Sequence, residues 1–138
     1  MPAEYRAFIT TIANGGLGLL SLEYSLANPV ATGINCRVSD DFFKTPFIHT
    51  SAYNSNEDPY IIELGEKCDR QEISQAECDR VYDYSTAGTM IIYHGGCGYY
   101  HRLVITGATR GQIWLDGDVD DQGYLPLNMG FLDWFENN

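Results

Sequence analysis

A glycine cluster followed by two strand-like runs leaves the C-terminal half of this chain few ways to fold. Positions 95–98 read Gly-Gly-Cys-Gly, and glycines this dense indicate backbone with positive φ or the close approach of another segment. A β-branched-rich run follows at residues 103–105, and alternating apolar and polar residues return at 112–116. Gly107 and Gly111 bracket the polar residues between these runs. The pattern predicts a β-hairpin.

A third strand precedes this hairpin. Residues 89–93, Thr-Met-Ile-Ile-Tyr, have high strand propensity and stop at the glycine cluster. Gly96, Cys97 and Gly98 therefore predict a tight corner that leads from this strand into the hairpin. A phosphate-binding loop is the alternative, but neither a lysine nor a helical pattern follows the cluster, so we interpret the corner as architecture.

Four helical patterns accompany the predicted strands. The first carries Tyr5, Phe8 and Ile12 on one face, and the sequence Ser-Gln-Ala-Glu opens the third with a capping box. The predicted helices span residues 2–14, 58–68, 74–84 and 129–136, the last with Asn128 as its N-cap, and a further strand is predicted at 17–24. Helices separated from a late β-rich segment predict an α+β domain, with a largely antiparallel sheet and helices packed against it.

The two tryptophans have two possible roles. Trp114 lies in the alternating strand and Trp134 in the C-terminal helix. Tryptophan in such positions is more often a core residue than a contact hot spot. We therefore expect both to be buried, with the C-terminal helix covering the hairpin.

Residues 28–58 are the least regular part of the sequence. Asparagine, serine, threonine, proline and aspartate predominate, interrupted by apolar insertions at 42–43 and 46–48. We expect a long loop whose aromatic side chains anchor it on the body of the domain. Because long loops often carry function, this loop is one candidate contact surface.

The charge is strongly acidic and unevenly distributed. The 138 residues, enough for one domain, carry a net charge of −11, and no lysine or arginine follows Arg110. The acidic residues beyond that point are Asp116, Asp118, Asp120, Asp121, Asp133 and Glu136. Such a field opposes binding to nucleic acid or to an anionic membrane and favours a basic protein partner, although solubility is an equally good reason for it. No apolar run is long enough to span a bilayer.

The cysteines are widely spaced and form no CxxC pair; they are Cys36, Cys68, Cys78 and Cys97. The chain opens with an amphipathic helix pattern where a secretory signal would have a basic and then an apolar segment. We therefore expect a cytoplasmic protein with reduced thiols, and we expect Cys78 to be a core residue.

The sequence contains only weak candidates for a metal site or a catalytic site. The aspartates of residues 116–123 alternate as calcium ligands do, but no register supplies both the glycine and the bidentate glutamate of an EF-hand. His94, Cys97 and His101 match H-x2-C-x3-H, yet a fourth zinc ligand is unassigned and nothing nearby activates the thiol for hydrolysis. We expect no metal, no cofactor and no enzymatic activity, and we interpret the aspartates as a solvated hairpin tip.

Taken together, these features resemble the SUKH superfamily, whose Smi/Knr-type domains occur in bacterial toxin immunity proteins and in fungal cell-wall assembly regulators. The resemblance covers nearly the whole chain as one domain, residues 1–138. It begins with PAEYRAF, NGG and KTPF, and its most specific part is the order and spacing of GCG, LVITG, RGQIW and FLDWF. The residues of this structural motif are Gly96, Cys97, Gly98, Gly107, Gly111, Trp114 and Trp134.

The resemblance implies a non-enzymatic domain that binds a cognate bacterial toxin, often a nuclease, and blocks it. Because a nuclease must bind phosphate, it tends to be basic and an acidic surface can occupy it. The expected contact residues are Asp116, Asp118, Asp120 and Asp121. The alternative is a scaffold or regulator of the cell-wall-assembly type. Family domains usually have more chain before the first helix, so we expect an N-terminal element to be missing or to come from another chain.

Overall fold

A computed structural model describes residues 1–11, 16–17, 25–26 and 40–137 of the chain. Helices and strands both occur in each half of the described chain. In chain order they are α1 (Ala3–Thr11), β1 (Gly16–Leu17), β2 (Ser25–Leu26), α2 (Asp40–Lys44), a 3-10 turn (Ser55–Glu57), α3 (Pro59–Asp69), α4 (Gln75–Thr86), β3 (Thr89–Gly96), β4 (Tyr99–Val104), β5 (Gln112–Gly117), a second 3-10 turn (Asp118–Asp120), β6 (Gly123–Gly130) and α5 (Phe131–Asn137).

The strands form one sheet in the order β1-β2-β3-β4-β5-β6, and each neighbouring pair is antiparallel. The predicted hairpin is β4-β5, in which Leu103 pairs with Ile113 and Arg102 with Trp114. The α+β fold with a largely antiparallel sheet is therefore confirmed. The predicted strand at 17–24 overlaps the described residues only at Leu17 in β1. Its remaining residues, and residues 12–14 of the first predicted helix, lie outside the described ranges.

The glycine corner is a two-residue turn between β3 and β4. Cys97 and Gly98 both have positive φ, 51° and 89°, as a type I′ hairpin turn requires. A Cβ atom on Gly98 would lie 2.8 Å from Cγ2 of Val119, so another segment also approaches it closely. The architectural interpretation of the corner is confirmed, and β3 extends through Gly96.

One face of the sheet carries the larger hydrophobic core. Tyr5 and Phe8 of α1 and Phe131 and Trp134 of α5 pack there on Met90, Ile92, Leu103 and Ile113 of the strands. The rings of Tyr5 and Phe131 meet edge to face, with centroids 4.9 Å apart. Both terminal helices are thus held by aromatic side chains at helical spacing, which is what the sequence pattern predicts.

A second core lies on the opposite face. It contains Phe47, Val104, Trp114 and Tyr124, with Tyr53 packed against it. The segment 45–53 supplies its cover, since the Phe47 amide donates to the Thr106 carbonyl at 2.9 Å. The expectation that aromatic residues anchor this segment is confirmed, but residues 40–44 form α2 and are not loop; residues 28–39 lie outside the described ranges.

Asn128 is not the N-cap of the last helix. It lies in β6 with φ of 55°, and α5 begins at Phe131. Strand β6 pairs with β5, and Pro126 lies opposite Trp114. Proline and asparagine interrupt any alternating pattern in residues 123–130, so the strand has no clear signal in the sequence.

The expectation of reduced thiols is wrong for two of the cysteines. Cys68 of α3 and Cys78 of α4 form a disulfide with Cα atoms 5.5 Å apart. The capping box that opens α4 is present as predicted, and it turns the chain so that the two helices pack side by side. Cys78 is therefore a covalent link between two helices and not a core thiol.

Candidate functional site

The acidic residues after β5 form a compact turn that joins β5 to β6. Asp118–Asp120 is a 3-10 turn, and Asp121, in the left-handed conformation, returns the chain toward β6. Val119 stands among these aspartates with 56% of its surface exposed. We call Asp118, Val119, Asp120 and Asp121 the acidic tip.

A second segment holds the acidic tip in place. Tyr53 and Tyr124 exchange two backbone hydrogen bonds, with N–O distances of 2.9 and 2.7 Å, which brings residues 54–57 beside the tip. Gly123 permits this approach, because a Cβ atom there would lie only 2.4 Å from the Tyr53 carbonyl oxygen. Its φ of 70° is also a conformation that favours glycine.

Neutral side chains donate the hydrogen bonds that orient the tip carboxylates. Ser55 Oγ donates to Asp118 Oδ1 at 3.0 Å, and Asn56 Nδ2 donates to Asp121 Oδ1 at 2.7 Å. Asp120 Oδ2 accepts a hydrogen bond from the Tyr99 hydroxyl and another, of 2.8 Å, from Gln122 Nε2.

These contacts fix the carboxylates without neutralising them. Within the described part of the chain, no lysine or arginine forms an ion pair with Asp118, Asp120 or Asp121. A tyrosine phenol is neutral at physiological pH, and the hydrogen bond to Asp120 raises the pKa of Tyr99 further. The acidic tip therefore presents an ordered and uncompensated negative charge.

Asp116 does not belong to this surface, and its prediction as a contact residue is wrong. The side chain is only 5% exposed, and its Oδ2 lies 2.7 Å from Nε of the buried Arg102. Alternation along β5 turns Asp116 to the same face as Trp114, which is covered by the second core. Sequence reasoning grouped it with its acidic neighbours because all of them lie close together in the chain.

The other residues of the structural motif serve the fold. Trp114 and Trp134 are buried, as predicted. Gly107 and Gly111 flank the β4-β5 connection with φ of 117° and 94°. Gly96 ends β3 and also has positive φ.

The two histidines and the cysteine of the H-x2-C-x3-H pattern have separate environments. His101 Nδ1 accepts a hydrogen bond of 2.7 Å from Trp134 Nε1, and burial lowers the pKa of His101. His94 stacks on Tyr100, and Cys97 is exposed in the β3-β4 turn. In the ranges that the structure describes, no three His, Cys, Asp or Glu side chains are placed to hold a metal ion.

Sequence reasoning missed the residues that hold the tip. Asn54, Ser55 and Asn56 stand more than sixty positions before the aspartates that they contact. Their composition is typical of turns, which predicts local structure but no distant partner. The only available signal was that residues 28–58 form a candidate contact surface, and these three residues fall inside that range.

Comparison with known proteins identifies no relative. The chain matches no protein-family model, no curated protein and no solved structure. None of the helices in the described ranges is both long and apolar enough to cross a membrane.

Proposed function

We propose that this protein is an immunity protein, which binds and neutralises a cognate basic toxin through its acidic tip. The observation that carries the proposal is the set of hydrogen bonds that orients Asp118, Asp120 and Asp121 with neutral donors. A surface whose purpose was solubility alone would not need its carboxylates fixed from a distant segment.

The tip has the features of a steering and contact surface. Uncompensated negative charge accelerates association with a basic partner and selects against acidic ones. Ordered side chains lose little entropy on binding. The exposed Val119 supplies an apolar centre with a charged rim around it.

The resemblance to SUKH domains supports the same function and the same non-enzymatic action. It implies a toxin, often a nuclease, as the partner; a toxin that binds phosphate carries the basic surface that an acidic tip fits. A scaffold in cell-wall assembly is the alternative, and it predicts binding to a partner that is not toxic.

The cellular compartment bears on which toxin is bound. A cytoplasmic location agrees with a nuclease toxin as target, and it stays a prediction. The disulfide between Cys68 and Cys78 counts against it, because disulfides are rare in the reducing cytoplasm. Thiol trapping in intact cells decides the matter: protected Cys68 and Cys78 indicate an oxidising compartment, and alkylated ones indicate the cytoplasm.

The test of the function is co-expression with the product of the adjacent gene. We expect the two proteins to co-purify and this chain to restore growth to cells that express the toxin. Co-purification with a product that is harmless alone would favour the scaffold. Failure both to bind and to rescue would reject the proposal.

A further inference from the structure

A groove of about 330 Å³ lies where α2, α3 and α4 meet. Its apolar wall includes Phe42, Ile48, Tyr60 and Tyr84. Ile48, Tyr60 and Tyr84 are 55%, 57% and 37% exposed, so three of the seven large apolar side chains exposed in the described chain line one groove. Clustered apolar exposure marks a binding surface, whereas single exposed residues are ordinary.

The walls of this groove are fixed by contacts behind them. The Tyr84 ring lies 5.8 Å from Tyr60 and 5.9 Å from Tyr53, and the Tyr84 carbonyl contacts His49 Nε2 at 3.2 Å. On the α2 side, the Phe42 carbonyl accepts a hydrogen bond of 2.8 Å from the Gly88 amide. The groove is therefore formed before a partner arrives, which reduces the entropic cost of binding.

The charged residues of the groove leave it with a negative excess. Asp41 and Asp83 line it together with Arg80, and Asp79 lies one helical turn before Asp83. Burial, and then the nearby Asp79, raise the pKa of Asp83. Among the residues described, no ion pair within 4.0 Å involves Asp41 or Asp83. A cation brought by a partner would find two acceptors here.

We infer that this groove binds a short segment of a partner protein that carries an apolar or aromatic side chain flanked by lysine or arginine. The apolar side chain packs against the rings of Tyr60 and Tyr84, and the basic residues pair with Asp41 and Asp83. The inference rests on the proposed function in that both require a basic protein partner, but it uses residues that the acidic tip does not contain.

The probe is a capped hexapeptide, Lys-Lys-Leu-Trp-Lys-Lys, titrated into the whole 15N-labelled protein and followed by NMR. The matched control peptide is Glu-Glu-Leu-Trp-Glu-Glu. We expect the basic peptide to give saturable shifts of the amides in residues 41–48, 59–62 and 80–87. The acidic peptide should leave those amides unchanged. Groove amides that show no saturable shifts, or that shift equally with both peptides, would overturn the inference.

Three variants locate the binding. Tyr60→Ala removes an exposed wall residue and should weaken the peptide affinity about tenfold, as loss of an aromatic anchor does. Asp83→Asn should weaken it severalfold and reduce its dependence on salt. Ile62→Ala, on the same helix but outside the groove, is the matched control and should keep the affinity of the unchanged protein. Equal effects of Tyr60→Ala and Ile62→Ala would contradict the inference.

A separate variant distinguishes failure of the groove inference from failure of the proposed function. Asp118→Asn/Asp120→Asn/Asp121→Asn removes the charge of the acidic tip and should bind the basic peptide at the groove as before. If the peptide fails to bind while toxin rescue succeeds, the groove inference is wrong and the proposed function stands. If the peptide binds at the groove and the rescue fails, the proposed function is wrong and the groove inference stands.

Discussion

Arg102 and Asp116 form an ion pair across strands β4 and β5 with only 2% and 5% of their surfaces exposed. Arg102 Nη1 also contacts Thr89 Oγ1 at 3.3 Å, so the guanidinium is held from both neighbouring strands. The other carboxylate oxygen of Asp116, Oδ1, accepts a hydrogen bond of 3.3 Å from the Asp118 amide. The first residue of the acidic tip is thereby attached to a buried charge pair in the sheet.

Asp116→Ala should lower the free energy of unfolding by about 3–5 kcal/mol, because it leaves the Arg102 guanidinium buried without its counter-charge. Urea denaturation measures this change. Asp116→Asn keeps an acceptor for Arg102 and should cost less.

Glu63→Gln is the matched control for that experiment. It breaks the Glu63–Lys67 ion pair of 2.6 Å on α3, where both side chains are exposed to water. Such pairs contribute little, so the denaturation midpoint should not move measurably. Equal effects of Asp116→Ala and Glu63→Gln would show that the Arg102–Asp116 pair is not buried as described.

The two tryptophans should respond differently to replacement by phenylalanine. In the described structure the buried Trp114 Nε1 has no hydrogen-bond partner, whereas Trp134 Nε1 donates to His101. Trp134→Phe leaves the half-buried acceptor Nδ1 of His101 unpaired and should cost about 1 kcal/mol more than Trp114→Phe. Urea denaturation of the two variants gives the difference. A larger cost for Trp114→Phe would contradict these hydrogen-bond assignments.

Removal of the disulfide should destabilise the protein moderately. Cys68 and Cys78 are ten positions apart, and opening a loop of this size costs about 2–3 kcal/mol. Cys68→Ser/Cys78→Ser should therefore have a lower Tm, and reductant should lower the Tm of the unchanged protein but not that of the double variant. Cys97→Ser, at the exposed thiol, is the control and should keep the Tm. A Tm that does not respond to reductant would show that the bond does not form.

Stability should fall as the pH drops below about 6.5, the ordinary pKa of histidine. Burial lowers the pKa of His101 and of His49, so the unfolded chain takes up protons that the folded chain does not. This difference favours unfolding at lower pH and disappears above the unfolded-state pKa. His101→Gln keeps an acceptor for Trp134 and should reduce the dependence of stability on pH below about pH 6.5. An unchanged slope would argue that His101 is not buried in its neutral form.

The parts of the fold with local signals were predictable from the sequence. The Cys97-Gly98 turn follows from the need for positive φ, the start of α4 from its capping box, and the burial of Trp134 from helical spacing. In each case the physical cause lies within a few residues of its effect.

The rest depends on partners that are distant in the chain. The burial of Asp116 is set by Arg102, the order of the acidic tip by residues 54–56, and the Cys68–Cys78 bond by how two helices pack. Strand β6 exists because β5 offers it an edge, against its own weak propensity. Only the three-dimensional structure separates the exposed aspartates from the buried one.

The association rate with the toxin, measured by stopped flow at several ionic strengths, tests the role of the acidic tip most directly. Asn retains the acceptors of the tip, so Asp118→Asn/Asp120→Asn/Asp121→Asn removes charge without removing the hydrogen bonds from residues 55, 56 and 99. We predict an association rate at least about tenfold slower at low salt and a weaker dependence on salt. The control that removes the same charge elsewhere, Glu63→Gln/Asp133→Asn/Glu136→Gln, should change the rate far less. A tip variant that keeps the rate and the salt dependence of the unchanged protein would contradict the account.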